Sequence, residues 1–401
     1  MIEIKGAVNT AICYAKVVEP EAIEQIRRMC DYEFTRDSKI RIMPDVHAGK
    51  GCTIGTTMTI VDKAVPNVVG VDIGCGMFTV NIGKGDIDFE KLDDVVHSIP
   101  SGKDVWDGRK ERFDLTRLKC YRHLSRTKRL EKSLGTLGGG NHFIEVDRAT
   151  DGTNYLVIHS GSRNLGKQVA EYYQDLAINL NLGIGDYLEA REELIRTYKE
   201  QGRRSEIQTA LDSLKCELNA ETTIPRDLCY LAGRYLDEYL NDVEICQEFA
   251  TRSREKMAEI IMDYMGFANN GSFHTVHNYI NTEERILRKG SISAKDGELV
   301  LIPINMRDGS ILAYGKGNPE WNYSAPHGAG RLMSRTKAKS TLDIDEYKKS
   351  MEGIYTTSVN AFTLDEAPMA YKSIDDIIED VSEAVDIIEV IKPVYNFKAS
   401  D

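Results

Sequence analysis

The run Val69-Gly70-Val71-Asp72-Ile73-Gly74-Cys75-Gly76-Met77 places the tightest restriction on how this chain can fold. Apolar residues from Pro66 to Val71 predict a strand that delivers a carboxylate and a thiol, three residues apart, into a turn with glycine on both sides of the cysteine. Glycine admits positive φ and lets a ligand approach the backbone. A thiolate and a carboxylate held together repel unless a cation neutralises them. The turn therefore reads as half of a metal site, and the other half must come from histidines elsewhere.

The chain has eight histidines. His97 and His123 lie in polar or basic stretches and read as surface residues. The others fall at strand ends or in turns. His142 follows Gly138-Gly139-Gly140-Asn141, and His159 ends the run Tyr155-Leu156-Val157-Ile158 before Ser160-Gly161-Ser162-Arg163. His277 lies in His274-Thr275-Val276-His277-Asn278, and His327 in Ala325-Pro326-His327-Gly328-Ala329-Gly330-Arg331. One such histidine is more often a satisfied turn residue than a ligand; His142, His159, His277 and His327 together with Asp72 and Cys75 point to a metal or catalytic centre. Three imidazoles, a thiolate and a carboxylate suit one cation or two, and a bridging cysteine explains why one thiol suffices. Thiolate and imidazole favour zinc, whereas manganese usually takes more oxygen. His327 differs from the rest. Its small neighbours expose backbone N–H groups, and Arg331 and Arg335 follow, a setting for a phosphate. Histidine is a competent covalent nucleophile, so His327 reads as nucleophile rather than ligand.

Composition narrows the class. With 401 residues, 41% hydrophobic and 28% charged, the chain has ample material for a large core and is too varied for a fibrous or disordered protein. Strand-and-turn composition fills the first third, in 39–43, 53–61, 67–73 and 77–82. Helical spacing takes over from about 165 to 265, and strand signals return from 290 to 314, followed by a glycine-rich loop and closing helices. The expected architecture is α/β (α+β): a single domain over 1–401, with a β-rich framework, a central metal cleft and an inserted helical segment. The stripe Ile374, Ile377, Ile378, Val381, Val385 and Ile388 predicts an amphipathic helix over 375–389. No apolar run has membrane-spanning length. The N-terminus has no apolar signal region, and eight scattered cysteines show no disulfide rhythm. A cytoplasmic protein with reduced thiols is expected. A net charge of −12 argues against indiscriminate nucleic-acid binding. Yet 109–132 carries ten Lys/Arg against three acids, a local balance of +7, which is either a solvated helix face or an RNA-facing patch.

Several ordered blocks resemble one family. Val71-Asp72-Ile73-Gly74-Cys75-Gly76-Met77, Leu134-Gly135-Thr136-Leu137-Gly138-Gly139-Gly140-Asn141-His142-Phe143-Ile144-Glu145, His159-Ser160-Gly161-Ser162-Arg163, His277-Asn278-Tyr279 and His327-Gly328-Ala329-Gly330-Arg331-Leu332-Met333-Ser334-Arg335-Thr336 are similar to the signature blocks of the RtcB RNA ligases. Met43-Pro44-Asp45-Val46-His47 and Asp365-Glu366-Ala367-Pro368-Met369-Ala370-Tyr371-Lys372 match further blocks. The resemblance implies an enzyme that joins RNA 3′-phosphate or 2′,3′-cyclic phosphate ends to 5′-hydroxyl ends, using GTP and two manganese ions (zinc or cobalt as substitutes), in tRNA splicing or RNA repair. By the same resemblance Cys75 bridges both ions, Asp72 and His142 complete one, and His159 and His277 the other. His327 carries GMP, with Asp45 also catalytic. Asn141, Asn305, Met306, Gly328, Ala329 and Gly330 frame the nucleotide, while Glu145, Ser310, Tyr371 and Lys398 contact guanine. Arg163, Arg331 and Arg335 face RNA or phosphate.

The chain departs from the family pattern twice. The family's phosphate loop usually reads Pro-Gly-Ser-Met-Gly; here Pro303-Ile304-Asn305-Met306-Arg307-Asp308-Gly309-Ser310 puts bulkier residues at two glycines, adding Arg307 as a cation and Asp308 against it. Ala399-Ser400-Asp401 follow Lys398 where the family usually ends at Lys-Gly. The altered loop motivates an alternative: a metal-dependent RNA end-processing phosphoesterase on the same scaffold.

Overall fold

Val80, Leu156, Ile158, Ile144, Val146 and Tyr395 have essentially no solvent exposure, because the strands that carry them are covered by helices on one face. A computed structural model describes residues 1–49, 51–216 and 223–399; Ser400 and Asp401 lie outside the described residues. Its larger sheet has the order Ser272–Val276, Gly76–Lys84, Thr153–Ser160, Phe143–Arg148, Val385–Lys398, Gly309–Gly315, Leu299–Asn305, antiparallel throughout. A second sheet runs Ile2–Lys5, Thr10–Cys13, Ile40–His47, Ile54–Thr59, Ile286–Lys289, Asn278–Asn281, with one parallel pair, Thr10–Cys13 beside Ile40–His47. The α/β class is the one expected.

The helical stretch is also as expected: helices Arg163–Asn179, Gly185–Glu200, Ile207–Cys216 and Gly233–Met265. In the last, Phe249, Ala250, Ser253, Arg254, Met257, Ala258 and Ile261 recur every three or four residues and form its buried face. That face packs on the strands Gly76–Lys84 and Thr153–Ser160, so the helix supports the sheet from behind the Cys75 turn. No helix among the described residues is long and apolar enough to cross a membrane.

Two expectations require correction. The run 66–71 is no strand: Pro66–Val69 is one helical turn, Gly70 takes φ +95°, and the strand begins only at Gly76. Proline's fixed φ suits the first turn of a helix, and four apolar residues carry no periodicity that could tell helix from strand. The acidic segment near 375–389 is likewise split. A helix spans Ile374–Val381, capped by Ser373, and Val385 opens the 14-residue strand Val385–Lys398. Val385 and Ile388 meet helical spacing by coincidence; the β-branched residues 385, 387, 388, 390 and 391 belong to a strand. The helices Arg335–Thr341, Ile344–Ser350 and Ile374–Val381 follow the glycine-rich loop as expected, and after them the described residues run on into a strand in the interior of the larger sheet.

Candidate active site

Cys75 sits where the turn after the helix Pro66–Val69 enters the larger sheet. Its backbone N–H donates to the Asp72 carbonyl at 3.2 Å, and the Gly74 N–H donates to the Asn278 carbonyl at 2.6 Å. Gly74 needs its φ of +76°, as does Gly138 its φ of +93°. A Cβ on Gly138 would stand 2.0 Å from Arg163 Nη1 and 2.5 Å from His142 Nδ1. Gly138→Ala is accordingly expected to cost about 1–3 kcal/mol through backbone strain and to push His142 aside. Urea unfolding reads the first effect, and metal titration the second.

Two overlapping donor sets converge on the thiol: Asp72, Cys75 and His142, and Cys75, His159 and His277. Cys75 Sγ lies 3.4 Å from both His142 Nε2 and His159 Nε2. His142 Nε2 is 3.0 Å from Asp72 Oδ2, and His159 Nε2 is 3.0 Å from His277 Nε2. The Asn141 carbonyl, 3.1 Å from His159 Nδ1, can only accept, so that nitrogen carries the proton and Nε2 presents a lone pair to the cluster. Burial holds His159 and His277 well below the ordinary imidazole range, so both rings are neutral. Burial, followed by the Asp72 charge, pushes the Cys75 thiol up. Burial alone would also raise Asp72, but His142, Cys75 and Arg163 outweigh it and hold this carboxyl below its ordinary value. Sulfur, nitrogen and oxygen donors packed this closely, with neutral imidazoles and a thiol that ionises readily only beside a cation, fit divalent transition-metal ions.

Arg254 lies behind this turn and was not singled out in the sequence. It is fully buried, and its Nη1 donates at 2.7 Å to the carbonyls of both Gly74 and Ser160. Burial lowers its guanidinium to about 10, against the opposing pull of Cys75 and Asp72. Its position in the apolar face of Gly233–Met265 was the available signal: a cation at a core position of a helix needs a buried partner.

His327 lies beside the cluster, its ring stacked on His277 at 4.9 Å between centroids. Asp45 Oδ2 accepts from His327 Nδ1 at 2.7 Å and from its backbone N–H at 3.2 Å, which fixes the ring and leaves Nε2 free to react. A cleft of about 960 Å³, open mouth included, runs from here. Expected residues Asn141, Glu145, Asn305, Met306, Gly328, Ala329, Gly330, Arg331, Arg335, Tyr371 and Lys398 all line it, with His159 and His277 at one end. Ser310 does not; it is fully buried beside Asp147.

Glu366, another residue of the cleft lining and one missed in the sequence, gathers four partners. Its carboxylate takes Lys398 Nζ, the Tyr371 hydroxyl at 2.8 Å, Arg335 at 3.1 Å and Arg331 at 3.3 Å. Burial works against its ionisation, but Lys398 and Arg335 prevail and hold the carboxyl at about 2. In the hairpin Asn305–Gly309 Asp308 opposes the Arg307 cation, as the sequence suggested. Asn305 Oδ1 accepts from the Arg307 and Asp308 N–H groups, and Arg307 pairs with Asp308 at 2.9 Å. The added cation is thus matched within the loop.

Arg163 faces a second cleft on the Asp72 and His142 side of the cluster, together with Lys103, Arg126, Arg129 and Lys167. The 109–132 segment is therefore not one solvated helix: short turns and the helix Thr127–Lys132 bring two of its arginines to the metal-binding residues.

The family model described as tRNA-splicing ligase RtcB matches residues 25–122 and 109–399. The chain is 30% identical to the RNA-splicing ligase RtcB of Escherichia coli (strain K12), over 95% of each protein. It is 28% identical to the tRNA-splicing ligase RtcB of Aeropyrum pernix, over 86% of this chain and 84% of that protein. The corresponding protein of Thermococcus kodakarensis is 26% identical, over 86% of this chain and 83% of its own. A match of this extent places the chain in the tRNA-splicing ligase RtcB family.

Proposed function

We propose that the protein is an RNA ligase that joins 3′-phosphate or 2′,3′-cyclic phosphate ends to 5′-hydroxyl ends through a histidine–GMP intermediate. The observation that carries this reading is His327, oriented through Nδ1 by Asp45 and set between the donor cluster and a cleft lined by Glu145 and Lys398. Asp72, Cys75 and His142 would hold one manganese ion, and Cys75, His159 and His277 the other. When bound, such ions supply positive charge against the phosphoryl oxygens.

His327 Nε2 attacks the α-phosphorus of GTP: an N–P bond forms, the bond to the β-phosphate oxygen breaks, and pyrophosphate leaves. Asp45 accepts the Nδ1 proton's hydrogen bond throughout and stabilises the ring as it gains positive charge. The RNA 3′-phosphate then takes the guanylyl group, freeing His327, and the 5′-hydroxyl displaces GMP to form the phosphodiester. The cationic cleft of Lys103, Arg126, Arg129, Arg163 and Lys167 supports a polyanionic substrate on the side of the cluster away from the nucleotide.

The test is incubation with manganese and GTP labelled on the α-phosphate. Acid-labile label on the wild type and none on His327→Ala is the expected outcome; equal labelling of the two rejects the mechanism. The Arg307–Asp308 pair in the hairpin favours a second reading, phosphoester hydrolysis without nucleotide. Cleavage of cyclic-phosphate RNA in the absence of GTP would select it.

A further inference from the structure

Glu145 and Asp147 are two residues apart on the strand Phe143–Arg148 and share a face, and both are buried. Glu145 lines the cleft. One of its oxygens takes Asn396 Nδ2, from the strand Val385–Lys398. Asp147 has no exposed surface at all, and among the described residues neither of its carboxylate oxygens accepts a hydrogen bond; the side chain it meets is the Glu145 carboxylate. The groups that act on it are Glu145 on its own strand, Ser310 on Gly309–Gly315 and the more distant cation of Lys392 on Val385–Lys398; the strand Thr153–Ser160 places Tyr155 opposite. Lys398, the cation of this end of the cleft, is already paired with Glu366. Two ionised carboxylates cannot share such a site without a cation between them, so one must keep its proton.

We propose that Asp147 is a positioning residue of the nucleotide cleft: a neutral acid that donates its proton to Glu145 and holds Glu145 as an ionised acceptor toward the N–H edge of a purine. This rests on the reading of the cleft as a GTP site. The assignment of the proton follows depth. Glu145 reaches the cleft and has Asn396 and Lys398 to favour its charge, whereas Asp147 has the Ser310 hydroxyl and only the more distant Lys392. Burial raises both carboxyls, and the Glu145 charge pushes Asp147 up further. A carboxylic acid kept neutral so that it can donate is an established way to shape a polar pocket. Guanine offers two adjacent donors, N1–H and the amino group, to a carboxylate; adenine offers no such pair.

Infrared spectroscopy of the full-length protein tests the proton directly, without nucleotide. At mildly alkaline pH the wild type should show a protonated-carboxyl band that Asp147→Asn removes; identical spectra overturn the proposal. GTP and ATP binding then tests the consequence. Asp147→Asn, whose amide still donates, should bind GTP within about twofold of wild type, and Asp147→Leu, which has no donor, about tenfold more weakly. The acid limb of GTP binding should move to higher pH in Asp147→Leu and stay in place in Asp147→Asn. An Asp147→Leu protein with wild-type affinity, or an Asp147→Asn protein as impaired as Asp147→Leu, also overturns it. If the wild type prefers ATP or binds neither, the guanine reading of the cleft fails, while the infrared comparison still decides the proton.

Discussion

Asp45→Asn should slow the modification of His327 by on the order of 10⁴, the scale seen when the aspartate behind a catalytic histidine becomes asparagine in a serine-protease triad. The carboxylate is 2.7 Å from Nδ1, and its side chain is buried. Asparagine has two ways to replace it, and both fail. With its nitrogen toward the ring, the amide donates to Nδ1, moves the ring proton to Nε2 and removes the lone pair that attacks. With its oxygen toward the ring, the tautomer survives but the charge opposing the developing imidazolium is gone. The rate of label incorporation at saturating GTP measures the effect, with thermal unfolding and metal content as controls. A loss smaller than tenfold would mean that Asp45 only packs against the ring.

Cys75→Ala should remove both metal ions together, whereas changes in the histidines should act on one set each. The thiol is the one donor common to the two clusters: Asp72 and His142 lie on one side of it, His159 and His277 on the other. Loss of a mere supporting group around a metal typically weakens binding 10–100-fold, and loss of a shared ligand should exceed about 100-fold at both sites. Calorimetric titration with manganese should give two binding events in the wild type, one in His142→Ala, one in His277→Ala and none in Cys75→Ala. A Cys75→Ala protein that still takes up one equivalent tightly would show that the thiol serves a single ion. Zinc in place of manganese would return the preference to what ligand softness alone suggests.

Most of the centre was legible in the sequence because its residue types have few other uses in glycine-rich turns. A cysteine between glycines, and histidines at strand ends, make chemical sense only when gathered. The elements carrying them were less legible. Pro66–Val69 is too short to show a period, and Val385–Lys398 begins where a helical stripe happens to continue in step. Glu366 was hidden for a different reason. In sequence it is one of many acids; its role comes from Arg331, Arg335, Tyr371 and Lys398, which only the folded chain brings to it. Asp147 is the same case: nothing in its local sequence reveals that it is fully buried. Arg254 was within reach, since its helical position demanded burial.

The strand Val385–Lys398 runs between Phe143–Arg148 and Gly309–Gly315, pairing Asn396 with Glu145 and Ile391 with Ser310. A chain emerging from the ribosome as far as Gly315 already holds every metal-binding donor, yet both neighbouring strands still present unpaired edges. Open edges of this kind invite pairing with other chains, and contacts across some 250 residues of sequence close slowly. The donors can thus all be made before the strand that closes the cleft, and until that strand arrives both edges stay exposed.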